Sequence, residues 1–442
     1  MISTAASHFI TRLTRPVAFI ALTLCVTTLN LPLSALADPG DINSVNNGQI
    51  VQGGTYYNTS GNKTTFTNTG SGGLWVQSGT TVRGLESDLS GNLTGNGGWL
   101  HFAAPGGVVR VDGTINVNAL RNGTGAFIGN GGRVTIDSAY LYQNGNIFAN
   151  GTNGGLVQFN VGSAMFGPNS RIEAMGSTGA GGQISIHSPG VVDIRRGAIM
   201  DSSGKVIGTY DTTLINIEGG LINMEGILRA DGTASSEGGV IRLVANGMSA
   251  TGCSECAITA ATGTILNANE ANTLISDMNT LAANLDGDIN IGPSNNFPPL
   301  NTPSYGLLSA NGGNGKDGKP HGGNGGFVSL SAANNIYNSG TIQANGGAGH
   351  TGEQQNVGTG GQGGTVALLA SNDIINGGQI NANGGNGGNN TAFVNYNHTT
   401  TTSISEWTFD HSNEKGGNGG HGGAIGFSYG NTMQNTGTIN AN

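Results

Sequence analysis

The sequence predicts an all-β chain: a right-handed parallel β-helix (a three-faced solenoid) with glycine-rich loop insertions and one short helix. Three observations predict it. The phrase Gly-Gly-x-apolar-x-apolar recurs, with the pairs Leu100/Phe102, Val109/Val111, Val134/Ile136, Val157/Phe159, Ile184/Ile186, Ile222/Met224, Ile241/Leu243, Val328/Leu330, Val366/Leu368 and Ile425/Phe427. A second phrase, Gly-x-Ile-x-Ala, follows it at Ile342, Ile380 and Ile439, with looser copies at Ile147, Ile172 and Leu228. Between the two lies a third short apolar signal: Ile336, then Ile374 and Ile375, then Met433.

Alternation with period two puts both members of each apolar pair on one strand face. With 81 glycines in 442 residues and only 9% charged residues, composition alone would suit a disordered chain. Apolar residues held in a repeating register argue for a solenoid instead. In the late copies the two phrases keep one spacing (326 to 340, 364 to 378, 423 to 437), so three short strands form each coil. A lone coil cannot bury its inner face, but coils stacked at about 4.8 Å share a continuous core. Right-handedness is the rule for parallel crossovers. Asn335, Asn338, Asn376, Asn381, Asn435 and Asn440 recur at matching places, where they suit either stacked amides or turns.

Residues 1–37 read as a secretory signal: Arg12 and Arg15, an apolar run over 17–29, then Ala35-Leu36-Ala37 before Asp38. The run is shorter than the roughly 20 residues of a membrane span, and no later segment predicts a helical span. Residues 38–96 repeat less cleanly and suit an N-terminal cap with irregular first coils. The array proper runs over 97–265. Residues 266–305 interrupt it: Leu274, Met278, Leu281 and Leu285 recur at helical spacing over 268–285, followed by Gly292-Pro293 and Pro298-Pro299. The array resumes over 306–442 and stops inside the third-strand phrase, which predicts a longer polypeptide. Insertions 345–362 and 383–421 both follow the third strand, so they should emerge from one corner.

The chain carries a net charge of −9, more negative still without Arg12 and Arg15. It offers no basic track for phosphates, which argues against nucleic acid as a partner. Cys253 and Cys256 suit a local disulfide or a free pair. Gly312-Gly-Asn-Gly-Lys-Asp317 matches the start of a calcium nonapeptide but does not repeat in tandem, and reads as a flexible loop. Asp286-Gly-Asp288 reads as a turn. His321, His350 and His421 lie in glycine-rich insertions and read as solvated loop residues; no metal or other cofactor is expected. The insertion over 391–411 is the predicted contact patch, because Phe393, Tyr396, Trp407 and Phe409 flank a Thr run and aromatic faces stack on sugars or fill partner pockets. Glycosidic chemistry needs two facing carboxylates about 5–10 Å apart. The outward strand positions carry instead Arg110, Thr135, Gln158, Ser185, Ser329 and Ala367, so an enzyme is not expected.

The run Gly-Gly-x-Val-x-Leu, Asn-x-Ile, Gly-x-Ile-x-Ala-x-Gly-Gly resembles the repeats of filamentous haemagglutinin-like exoproteins and related large bacterial surface adhesins, over most of 97–442. The resemblance implies export through the inner membrane and, for many members, passage through a dedicated outer-membrane barrel partner. It also implies a secreted or cell-surface rod that mediates adhesion or matrix contact with a host or matrix glycan or protein. The rival expectations are a structural sheath and, behind it, a polysaccharide-degrading enzyme.

Overall fold

The computed structural model describes residues 42–43, 49–69, 73–206, 213–247, 287–292, 306–352, 357–389 and 417–442. Residues 1–37, the helix expected over 268–285, Cys253 and Cys256 and the aromatic insertion 391–411 lie outside these residues. Among the described residues the chain is all-β, with no helix and with its strands in two sheets. Every strand pairing is parallel except that of Leu93–Gly97 with Thr81–Ser87.

The strands form three files, in which each strand pairs with its counterpart one rung further along. The first file runs through Thr64–Thr67, the first halves of Trp99–Val111, Arg133–Gln143 and Leu156–Phe166, then Gln183–His187, Leu214–Gly219, Val240–Ala245, Phe327–Ala332, Thr365–Ala370 and Ala424–Tyr429. The second holds Gly73–Val76, the second halves of the three long strands, then Val191–Ile194, Leu221–Met224, Ile289–Ile291, Ile336–Asn338, Ile374–Asn376 and Met433–Asn435. The third begins at Gly54–Thr59 and Thr81–Ser87 and continues through the Ile-x-Ala phrases to Thr438–Asn440. The first two files share the larger sheet because the three long strands turn that corner unbroken.

Period-two alternation accounts for the core. Phe327–Ala332 alternates half-buried and buried residues, and the inward pairs from Leu100/Phe102 to Val366/Leu368 are fully buried. They meet Ile115, Ile147, Ile172, Leu228, Ile342 and Ile380 of the third file in one apolar cluster. Burying each such side chain stabilises the stack by about 1.5–3 kcal/mol before conformational entropy is charged. Two of the recurring pairs belong elsewhere than their phrase implies. Val109/Val111 and Ile222/Met224 sit in the second file, because Gly106-Gly107 and Gly219-Gly220 mark the corner between the first two files. The first-file pair of that last rung is Ile215/Ile217, and the residue before its strand is Thr213, buried at a φ of 65°.

The Gly-Gly pairs themselves close each rung onto the next. A methyl group built on Gly131, Gly154, Gly325 or Gly363 would lie 1.9, 2.0, 2.1 or 2.1 Å from the carbonyl oxygen of the third-file alanine in its own rung. The second glycine then donates its N–H to the alanine carbonyl one rung back: Gly155 to Ala149 at 2.7 Å, Gly326 to Ala310 at 2.7 Å, Gly364 to Ala344 at 2.6 Å. Backbone meets backbone here, and no side chain fits.

Stacking passes through the expected interruption. Val240–Ala245, Ile289–Ile291 and Leu307–Ser309 make up one rung, each in register with the next. The glycine-rich segments between the third and first files are ordered as well, which corrects the flexible-loop reading of 312–317. Gly346, Gly349 and Gly352 donate to the carbonyls of Asn383, Asn386 and Asn389, and Gly312 and Gly315 to those of Asn345 and Ala348. A second set links Gly323 to Gly313, Gly347 to Gly323, Gly361 to Gly347 and Gly385 to Gly361. A bond at every third residue matches an extended threefold chain, in which only glycine fits the crowded positions.

Amide ladders accompany the stack. Asn338 Nδ2 donates to Asn376 Oδ1 at 2.7 Å and Asn376 Nδ2 to Asn435 Oδ1 at 2.6 Å, with the first two buried. At the third-to-first corner the backbone N–H groups of Asn311, Asn345, Asn383 and Asn442 each donate to the side-chain oxygen of the preceding rung, the first of these being Asp231.

Candidate binding groove

Along the early rungs the third-to-first corner forms an open groove of about 430 Å³. Its floor is four successive glycine pairs, 97–98, 131–132, 154–155 and 181–182. Four rungs at about 4.8 Å make a track of roughly 14 Å between the outer two. One wall is the position just after each pair, Trp99, Arg133, Leu156 and Gln183, which are consecutive partners in the first file. Asn58, Thr59, Asn62 and Glu86 lie at one end.

Trp99 is the one aromatic side chain among the groove-lining residues and is fixed on several sides. Its indole Nε1–H donates to Thr135 Oγ1 at 3.2 Å. The Arg133 guanidinium carbon sits 4.2 Å from its ring centroid, a cation–π contact. Arg133 is itself aimed: Nε donates to Thr135 Oγ1 at 3.2 Å and Nη2 to Gln158 Oε1 at 3.0 Å. Among the described residues no carboxylate pairs with it. Lys63 Nζ lies 5.6 Å from the same ring and 3.0 Å from His101 Nδ1. An ammonium can only donate, so His101 accepts at Nδ1, carries its proton on Nε2, and donates that proton to Asp137 Oδ2 at 2.6 Å.

Glu86 is the one carboxylate among the groove-lining residues. Partial burial pushes its pKa up, but hydrogen bonds from Asn96, Ser60 and Thr94 outweigh that and hold it below the ordinary value. It therefore stays ionised at neutral pH as an acceptor. Asn58, 1% exposed, donates through Nδ2 to Thr64 Oγ1 at 2.7 Å, while its buried Oδ1 has no donor.

The floor offers no backbone donors to a ligand. Gly131, Gly132, Gly154, Gly155 and Gly182 donate their N–H groups to carbonyls within the stack, and Gly181 donates to Thr213 Oγ1. Further along the same outer face, Glu218 receives His187 and Arg242 at 3.3 and 3.0 Å. Its partial burial is outweighed by hydrogen bonds from Asn216, His187 and Arg242, so its pKa also falls.

The residues singled out from sequence fare differently. Phe393, Tyr396, Trp407 and Phe409 lie outside the described residues. His350 Nε2 pairs with Asp317 Oδ1 at 2.9 Å, and His321 Nδ1 lies 3.0 Å from Thr359 Oγ1. Among the described residues no three His, Cys, Asp or Glu side chains group to hold a metal. Asp288 is buried and accepts from the Asn335 N–H at 2.8 Å. Sequence reasoning missed Trp99 and Arg133, although a signal was present: both fill the first x of the Gly-Gly-x-apolar phrase, directly behind the glycines.

Comparison with known protein families, with curated proteins and with solved structures returned no match to this chain.

Proposed function

We propose that this chain is an exported, surface-displayed or secreted rod of the adhesin type. In this reading it is a right-handed, three-faced parallel β-helix whose third-to-first corner meets a host or matrix ligand. The observation that carries the reading is a division of labour. The inner columns keep one register from rung to rung, while added length collects at that corner, except in the rung of Val240–Ala245, where it falls at the other two. A repeat protein that varies in length mostly at one edge over a core of constant register supports a role in contact rather than in chemistry. The likeness of the repeats to filamentous haemagglutinin-like exoproteins supports the same role. Residues 1–37 would take the chain across the inner membrane, and an outer-membrane barrel partner would take it further. The aromatic insertion with Phe393, Tyr396, Trp407 and Phe409 is a second contact patch in this reading.

Residues 38–442 coated on beads should bind a subset of arrayed glycans or matrix proteins saturably. Trp407→Ala should weaken binding through the insertion by about tenfold, the scale of a lost aromatic anchor. Absence of binding to every glycan and matrix protein would leave a sheath component and overturn adhesion. Release of new reducing ends from a polysaccharide would make the chain an enzyme instead.

A further inference from the structure

We propose that the glycine-floored groove binds an extended polysaccharide bearing carboxylate groups, with Arg133 as the anchor for a carboxylate and the part of the Trp99 indole left uncovered by that guanidinium as an apolar contact for a sugar ring. This deepens the adhesive reading and rests on it only for its biological setting. The groove is open, runs along the stacking axis across four glycine pairs, and presents no side chain from its floor. A peptide strand would need free backbone donors for pairing and pockets for alternate side chains; the floor N–H groups are already used and the floor is bare. A sugar chain needs an aromatic face and convergent polar groups. Trp99 lines the groove with the part of its indole that the Arg133 guanidinium does not cover, while Glu86 and Asn62 at one end are placed to bond hydroxyls.

The charge pattern selects an acidic sugar over a neutral one. Arg133 is held by two neutral acceptors, Thr135 and Gln158, which orient the guanidinium without neutralising it. Lys63 stands at the same indole with an imidazole, not a carboxylate, as its polar partner. Arg133 in the groove, with Lys63 outside its lining at the same indole, makes a local site for an anion in a chain of net charge −9. Glu86, ionised at the end of the groove, disfavours a polyphosphate of dense charge but accepts bonds from hydroxyls.

The test is calorimetry of the 38–442 chain with polygalacturonate, with its methyl-esterified form, and with polyglutamate as an acidic chain without sugar rings. Polygalacturonate should bind; the ester should bind at least about tenfold more weakly, and polyglutamate more weakly still. Arg133→Gln should remove about tenfold of affinity for the acid and leave the ester unchanged, whereas Trp99→Ala should weaken both. Leu156→Glu, on the groove wall, should abolish binding of the acid with the thermal midpoint unchanged, which covers the case in which the Trp99 variant fails to fold. Equal affinity for acid and ester, or equal affinity of wild type and Arg133→Gln, would overturn the proposal. Equal binding of polyglutamate would reduce it to a nonspecific anion surface. Bead adhesion that survives a silent groove would sink this proposal and spare the adhesive one; groove binding without adhesion would do the reverse.

Discussion

The third-to-first corner is built twice in this molecule, in two ways. Along rungs 99–187 the glycine pairs form the floor of an open groove; the longer insertions nearby, such as 81–97 and the turn around 121–127, fold on themselves, and the short segments at 151–152 and 176–179 bond to neighbouring rungs. Along rungs 327–440 the same corner carries glycine-rich segments that hydrogen-bond to one another rung by rung. Glycine thus plays opposite parts. Gly123, in an early insertion, has nothing within 4 Å of where a side chain would start. Gly347, in a late one, would put a methyl group 2.2 Å from the carbonyl oxygen of Gly313, and Gly385 one 2.0 Å from that of Gly347. Similar composition therefore hides two structural states, and what separates them is whether neighbouring rungs supply a matching segment for each glycine to meet.

The largest effect expected from this contrast is at glycine. Gly347→Val should destabilise the late half by more than about 4 kcal/mol, since the clash is with backbone that cannot rotate away. Gly123→Val should stay within about 0.5 kcal/mol. Hydrogen exchange read segment by segment should show lost protection over 311–326, 345–352 and 383–389 in the first variant alone. Equal behaviour of the two variants would dissolve the distinction.

A smaller effect is expected in the second file. Its inner column is mostly apolar early, with Val111, Phe166, Ile194 and Met224 interrupted by buried Gln143, and turns to Asn338, Asn376 and Asn435 late. Asn376→Ala strands the amide of buried Asn338 and the oxygen of Asn435, so denaturant unfolding should report a loss of about 1–3 kcal/mol. A loss under about 0.5 kcal/mol would show that the ladder is incidental.

The smallest effect sits where the two halves join. Asp231 begins the late corner ladder in a place that later rungs fill with Asn311, Asn345 and Asn383. Burial raises its pKa, only partly offset by hydrogen bonds from Ser309 and Asn311, with the nearby Asp201 carboxylate raising it further. The folded state therefore holds the Asp231 proton more tightly than the unfolded state. Its contribution to stability is greatest below the ordinary aspartate range and is lost as pH rises through the raised value. Asp231→Asn should raise the thermal midpoint at pH 7, a gain of about 0.5–2 kcal/mol, and the gain should shrink on acidification. A midpoint unchanged at pH 7 would show that the carboxylate is accommodated without cost.

Much of the architecture was legible in the residues. Val134/Ile136, Val157/Phe159 and their counterparts alternate so regularly that parallel stacking was readable before any pairing was known, and the shared spacing of the late phrases placed their insertions at one corner. Two things misled. A glycine pair marks more than one corner, so the phrase alone does not tell the second-file pair Val109/Val111 from the first-file pairs. Glycine-rich stretches look flexible in one dimension, because their hydrogen-bond partners at 311–326, 345–364 and 383–389 are remote in sequence. The groove was half-legible: Trp99 and Arg133 stand in the repeat phrase, but at an outward position whose residue type the core does not constrain.

By itself the sequence determined the inner columns, because an apolar residue at every second position, reset by glycine pairs, has few ways to leave water other than by stacking parallel strands. The tertiary structure alone decided what meets on the outside. Outward positions are unconstrained by the core, so only the register between rungs could bring Trp99, Arg133 and Gln158 together. Only the superposition of successive insertions could turn loose-looking glycine segments into an ordered wall.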